Sequence, residues 1–81
     1  MAERKLVINV ASQMGETVSL QVRKDTKLAA VHEKVCSRLG IDSSSARMLY
    51  NGKKVDLKKT LEQLKVESDD FFDIVQEQVG G

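Results

Sequence analysis

A single helical stripe, set between segments that alternate apolar and polar residues, leaves this chain few architectures. Leu28, Val31, Val35 and Leu39 recur at spacings of three and four, the pattern of a helix with one face on a core. Thr26 stands where an N-cap is wanted and Gly40 where a left-handed C-cap is wanted, so the helix is expected from about Lys27 to Leu39. Before it, Leu6, Ile8 and Val10 alternate with Val7 and Asn9, and Val18, Leu20 and Val22 alternate with Thr17, Ser19, Gln21 and Arg23. Ser12-Gln13-Met14-Gly15 separates these two runs, which predicts an antiparallel hairpin.

After the helix, Ile41 to Ser45 is a polar connection and Arg47 to Tyr50 a third strand. Asn51-Gly52 predicts a type I′ turn, which needs positive φ at both central residues, into a short strand over Lys53 to Val55. Thr60 followed by Gln63 has the spacing of a capping box and predicts a short second helix through Leu64. Phe71 to Val75 is the last strand. Strands around one long helix, without a βαβ repeat, predict an α+β fold with the helix across one face of a mixed sheet.

Charge and size narrow the function classes. Thirteen basic against twelve acidic side chains leave a formal charge of +1, so no global field draws the chain to nucleic acid or anionic membrane. The longest apolar stretch, Leu6 to Ala11, is broken by Asn9 and falls far short of the ~20 residues that span a bilayer. Met1 to Lys5 lacks the apolar run of a secretory signal, and Cys36, the sole cysteine, permits no internal disulfide, so nucleus and cytoplasm are the expected locations. With 81 residues there is room for one domain. The division is a short N-terminal segment over 1–5, a folded domain over 6–76 and an extended tail over 77–81.

The order of elements, ending in Gly80-Gly81, resembles the ubiquitin-like β-grasp fold, and three stretches resemble the SUMO branch of it. These are the tail Gln76-Glu77-Gln78-Val79-Gly80-Gly81, the helix end Val35-Cys36-Ser37-Arg38-Leu39-Gly40-Ile41, and the strand and turn Arg47-Met48-Leu49-Tyr50-Asn51-Gly52. The match runs from about Leu6 to Gly81 without gaps. Glu77 and Gln78 occupy places where ubiquitin has arginines, while Leu61 after Thr60 is the ubiquitin-like choice where SUMO usually has proline. The pattern is that of a divergent SUMO.

The resemblance implies a protein modifier rather than an enzyme, with no cofactor of its own. The Gly81 carboxylate would be adenylated at the expense of ATP, passed between cysteines of activating and conjugating enzymes, and joined to a substrate lysine. Glu77, Gln78 and Val79 would be read by the activating enzyme and by a SUMO-specific protease. Glycine at 80 and 81 suits this, because without Cβ the backbone threads a narrow channel. The resemblance also implies a groove for short hydrophobic SUMO-interacting peptides, formed by Val18, Leu20, Val22, Arg23, Val31, Val35 and Arg38 and filled by β-augmentation. Glu67, Asp69 and Asp70 would meet a basic patch on the conjugating enzyme. Leu64-Lys65-Val66-Glu67 fits the acceptor pattern of the family, making Lys65 a possible acceptor lysine.

Two departures bear on the groove. The chain has Ala29 and Ala30 where lysines are usual, and Val35 where an aromatic is usual. Cys36 and His32 form no nucleophile constellation; Cys36 is expected as a small buried hydrophobe and His32 as a packing or surface residue, and Lys53, Lys54, Lys58 and Lys59, with no interleaved aromatics, as a solvated face. A monomer is expected. The alternative from a different class is a noncovalent ubiquitin-like interaction module excised from a larger protein.

Overall fold

The computed structural model describes residues 5–76. The segment before Lys5 and the tail residues Glu77, Gln78, Val79, Gly80 and Gly81 lie outside the described residues. Among the described residues five strands form one mixed sheet: β1 (Lys5–Ser12), β2 (Thr17–Arg23), β3 (Ala46–Tyr50), β4 (Lys53–Lys54) and β5 (Asp70–Gln76), in the order β2-β1-β5-β3-β4. α1 (Leu28–Leu39) lies against one face. This is the ubiquitin-like β-grasp expected of the sequence pattern.

Alternation sets the register. In the antiparallel β1–β2 pair, Ile8 faces Leu20 and Val10 faces Val18, so the inward rows coincide. β5 enters between β1 and β3, parallel to the first and antiparallel to the second, with Val10 beside Phe72 and Met48 beside Ile74. The core is Leu6, Ile8, Val10, Leu20, Leu28, Val31, Val35, Cys36, Met48, Val55, Leu61, Val66, Phe72 and Ile74. Phe72 and Ile8 are fully enclosed at its centre.

The turn signals act as their chemistry requires. Asn51 and Gly52 both take positive φ, 54° and 79°, in the β3–β4 turn. Gly40 closes α1 at φ 72°, its N–H bonding back to the Ser37 carbonyl while Ile41 N–H reaches Cys36.

Two local expectations are corrected. Thr26 does not cap α1: the N-cap is Lys27, and the Thr26 hydroxyl instead accepts from the Arg23 N–H at 3.2 Å. The free N–H groups of Leu28 and Ala29 donate to the Lys59 and Leu57 carbonyls at 2.8 and 3.0 Å, so a distant loop replaces the side-chain cap. Thr60 and Gln63 do form a reciprocal box: Thr60 N–H donates to Gln63 Oε1 at 2.9 Å and Gln63 N–H to Thr60 Oγ1 at 3.2 Å. The box closes a single turn over 61–65 rather than a helix, because Lys65 enters the left-handed region at φ 58° and ends it. The Ile41-to-Ser45 connection contains a 3-10 turn, Ser43–Ser45, capped by the Asp42 carboxylate, which accepts from the Ser44 N–H at 3.0 Å. Those bonds to Ser44 hold the Asp42 carboxyl below its usual range.

Candidate functional site

Among the described residues β2 is an edge strand, so one side of its backbone has no strand partner within the sheet. α1 runs beside that edge, and the space between them is a groove of about 740 Å³. Its apolar lining comes from Val22, Ala30 and Val31, and its polar lining from Lys5, Gln21, Arg23, Thr26, Glu33, Lys34, Ser37 and Arg38. Four cations and one carboxylate therefore line it. Arg23 also pairs with Asp25 at 2.9 Å, on a surface where both side chains are more than half exposed and such a pair contributes little to stability.

Of the seven groove residues expected from sequence, Val22, Arg23, Val31 and Arg38 come together on this groove. Val18, Leu20 and Val35 do not line it. Leu20 is 5% exposed and Val35 is fully enclosed, because both point into the sheet–helix interface. Val18 is partly buried against the same core. Alternation splits these valines and leucines: Val22 stands half-buried beside the groove and Val31 is both core and groove floor, while Leu20 and Val35 turn into the sheet–helix interface.

Sequence reasoning missed Lys5 and Lys34. Lys34 lies three residues after Val31 and four before Arg38, a helical spacing that identifies it as part of the same face. Lys5 had no local signal. It arrives only through the strand register, opposite Arg23. These two lysines supply cationic charge that the alanines at 29 and 30 do not.

The second expected site, Glu67, Asp69 and Asp70, lies across the sheet where β5 begins. Glu67 and Asp69 are exposed. Asp70 is half-buried and engaged: its Oδ2 accepts from the Tyr50 hydroxyl at 2.6 Å and from the Glu67 N–H at 3.0 Å. The Tyr50 bond, then the Glu67 bond, hold the Asp70 carboxyl below the usual range. The same bond is the main cause that pushes the Tyr50 phenol up to about 12. Asp70 is thus a bonded structural acid, whereas Glu67 and Asp69 present their carboxylates outward.

The four residues around Lys65 do not form an extended segment. Lys65 sits at φ 58° with its N–H bonded to the Glu62 carbonyl, and Val66 is buried. An acceptor lysine needs an extended, accessible backbone, so this geometry counts against Lys65. Cys36 is 2% exposed; burial, then the Asp42 and Glu33 carboxylates, push its thiol up and away from thiolate chemistry. His32 is buried, and its Nε2–H donates to the Ala46 carbonyl at 2.9 Å, tying α1 to the start of β3. Lys53, Lys54, Lys58 and Lys59 are exposed. Among the described residues, no three His, Cys, Asp or Glu side chains are placed to hold a metal, and no helix is long and apolar enough to cross a membrane.

Residues 6–76 match the family described as Ubiquitin-2 like Rad60 SUMO-like. Small ubiquitin-related modifier 2-A of Xenopus laevis is 30% identical over 74 residues, covering 91% of this chain and 78% of that protein. Small ubiquitin-related modifier 2 of Homo sapiens is 30% identical over the same span. Among solved structures, ubiquitin of Caldiarchaeum subterraneum superimposes with a TM-score of 0.87 and 28% identity, covering 96% of this chain and all of that one.

Proposed function

This chain belongs to the Rad60-type SUMO-like family of ubiquitin-like proteins, and from that premise we propose that it is a SUMO-type protein modifier, attached through Gly81 to substrate lysines and read at the β2–α1 groove. The observation that carries the reading is the open edge of β2 beside an apolar, cation-rimmed groove. An extended peptide laid there can donate to and accept from the β2 backbone, place apolar side chains over Val22, Ala30 and Val31, and meet Lys34 and Arg38 with flanking acids. Val31 serves as core and as groove floor together. With four of the seven expected residues and two additional lysines, peptides with acidic flanks are favoured over purely apolar ones.

The conjugation half of the proposal is supported by the family, by the named role of the relatives as modifiers, and by Gly80-Gly81 with Glu77, Gln78 and Val79 before it. Its partners are a SUMO-type activating enzyme, a conjugating enzyme that meets the Glu67–Asp69 turn, a SUMO-specific protease and proteins bearing hydrophobic interacting motifs. Its place of action is nucleus and cytoplasm.

A thioester assay tests this directly. The chain is incubated with ATP and SUMO-activating enzyme, in parallel with ubiquitin-activating enzyme and with a variant lacking Gly81. The expected result is a reducible adduct with the SUMO enzyme alone, absent for the shortened chain. No adduct with either enzyme shifts the assignment to a noncovalent interaction module, and charging by the ubiquitin enzyme reassigns the branch of the family.

A further inference from the structure

The acidic turn before β5 is held more firmly than a surface loop needs to be. Asp69 N–H donates to the Val7 carbonyl at 2.6 Å, and Val7 N–H returns a bond to the Ser68 hydroxyl at 3.3 Å, which docks one side of the turn on β1. Asn9 Nδ2 donates to the Asp69 carbonyl at 3.3 Å on the same side. On the other side, the Tyr50 hydroxyl grips Asp70 at 2.6 Å. Asp70 in turn is bonded twice to Glu67, through its carboxylate and through its own N–H to the Glu67 carbonyl at 3.1 Å. The Tyr50 ring is braced from beneath by Phe72, centroids 4.7 Å apart, and Phe72 is fully enclosed in the core.

The latch divides three neighbouring acids into two roles. Asp70 takes both the phenol and the Glu67 N–H on the same oxygen, Oδ2, so this oxygen is committed to the latch and the half-buried carboxyl is held in one orientation, whereas Glu67 and Asp69 are exposed. Asp69, at φ 72°, has its backbone turned so that its N–H reaches β1 while its side chain remains exposed. Glu67 is held by the same Asp70 carboxylate. The exposed pair therefore stands on a backbone fixed to β1 and, through Tyr50, to the core.

We propose that Tyr50 is a positioning residue for partner recognition: by holding Asp70 it fixes Glu67 and Asp69 as a rigid pair of carboxylates for the basic surface of the conjugating enzyme. This rests on the reading of that turn as the conjugating-enzyme contact, and it changes the membership of the site. Asp70 leaves the contact set and Tyr50, twenty residues earlier in the chain, joins as its support. Rigidity matters because a preorganised pair gives up less conformational freedom on binding than a floppy one.

The test is calorimetric titration of the full chain with a SUMO-type conjugating enzyme at several salt concentrations. Glu67→Gln with Asp69→Asn removes the charges and is expected to weaken binding about tenfold or more and to flatten its salt dependence. Tyr50→Phe keeps the ring on Phe72 and both exposed charges, and is expected to weaken binding about threefold to tenfold with the salt dependence retained. Asp70→Asn attacks the latch from its other end, and adding it to Tyr50→Phe is expected to cost little more than either change alone. Binding of an acidic-flanked apolar peptide at the β2–α1 groove should stay unchanged in all four, which separates a local effect from a damaged fold. If the Glu67/Asp69 variant binds as the parent does, the contact reading itself falls, and this proposal with it. If that variant weakens while Tyr50→Phe binds as the parent does, or if Asp70→Asn adds its full effect on top of Tyr50→Phe, the positioning role alone is overturned.

Discussion

The two lateral regions of the molecule handle their polar groups in opposite ways. Along β2 the sheet stops with its edge open, and the neighbouring helix face leaves a groove lined by lysines and arginines. Where β3 meets the start of β5, by contrast, donors and acceptors are paired off: Tyr50 with Asp70, Asp70 with Glu67, Asp69 with Val7. The first region keeps backbone capacity in reserve and so can accept a strand. The second has tied these groups to one another and displays the charges of Glu67 and Asp69. An incomplete edge receives a partner, and a completed turn presents to one.

The sharpest way to break that contrast is through the core beneath the closed region. Phe72→Ala removes the fully buried ring on which Tyr50 rests and is expected to cost about 3–5 kcal/mol of stability, read by urea unfolding. In the fraction that remains folded, groove binding should survive. If groove affinity falls in step with stability, the two regions are not independent.

Next in size, Lys34→Glu with Arg38→Glu reverses charge on exposed groove positions. Affinity for an apolar peptide with acidic flanks should fall about tenfold at low salt, with the deficit shrinking as salt screens the pair. Unfolding should hardly change, since neither side chain is enclosed. An equal loss at high salt would show that packing, not charge, governs the open side.

Gly52→Ala probes the closed side's hairpin. Nothing would touch an added Cβ, so only the positive φ of 79° resists it, and the expected cost is about 1 kcal/mol in thermal unfolding. A larger loss would mean that the β3–β4 turn anchors more than its own two strands.

The smallest effect is a pH slope. The folded-state value of Tyr50 lies above its ordinary value of 10, so its contribution is complete below pH 10 and is lost as pH rises toward about 12. Asp70 works in the other direction: its depressed folded value means its contribution is complete above the usual carboxylate range and is lost as pH falls through it. Tyr50→Phe should flatten the alkaline arm of urea midpoint against pH and weaken the acid one. Unchanged slopes in that variant would remove the hydrogen bond as their source.

What the sequence disclosed and what it hid divide along the same physical line. Features set by neighbours in the chain were legible: the alternation of β1 and β2, the stripe of α1, Gly40 as a left-handed cap, Asn51-Gly52 with two positive φ values, and the Thr60–Gln63 box. Features set by distant partners were not. Thr26 has the chemistry of a helix cap, but the carbonyls of Leu57 and Lys59 reach the helix start first. Leu20 and Val35 share the composition of groove valines and are separated from them only by which way the packed face turns. Asp70 is indistinguishable from Asp69 along the chain until Tyr50 arrives from β3.

The position of β5 in the sheet carries one more consequence. It is the last of the described strands along the chain and also the central one, flanked by β1 and β3, which it joins through both of its edges. Until Asp70–Gln76 has left the ribosome, the two hairpins have nothing between them and the core lacks Phe72 and Ile74. Closing the sheet brings together residues some sixty positions apart, as in Asn9 with Phe71, a non-local pairing of the kind that slows folding. Whatever follows Gln76 is therefore offered from the keystone of a finished domain, and an unfinished copy has no sheet from which to offer it.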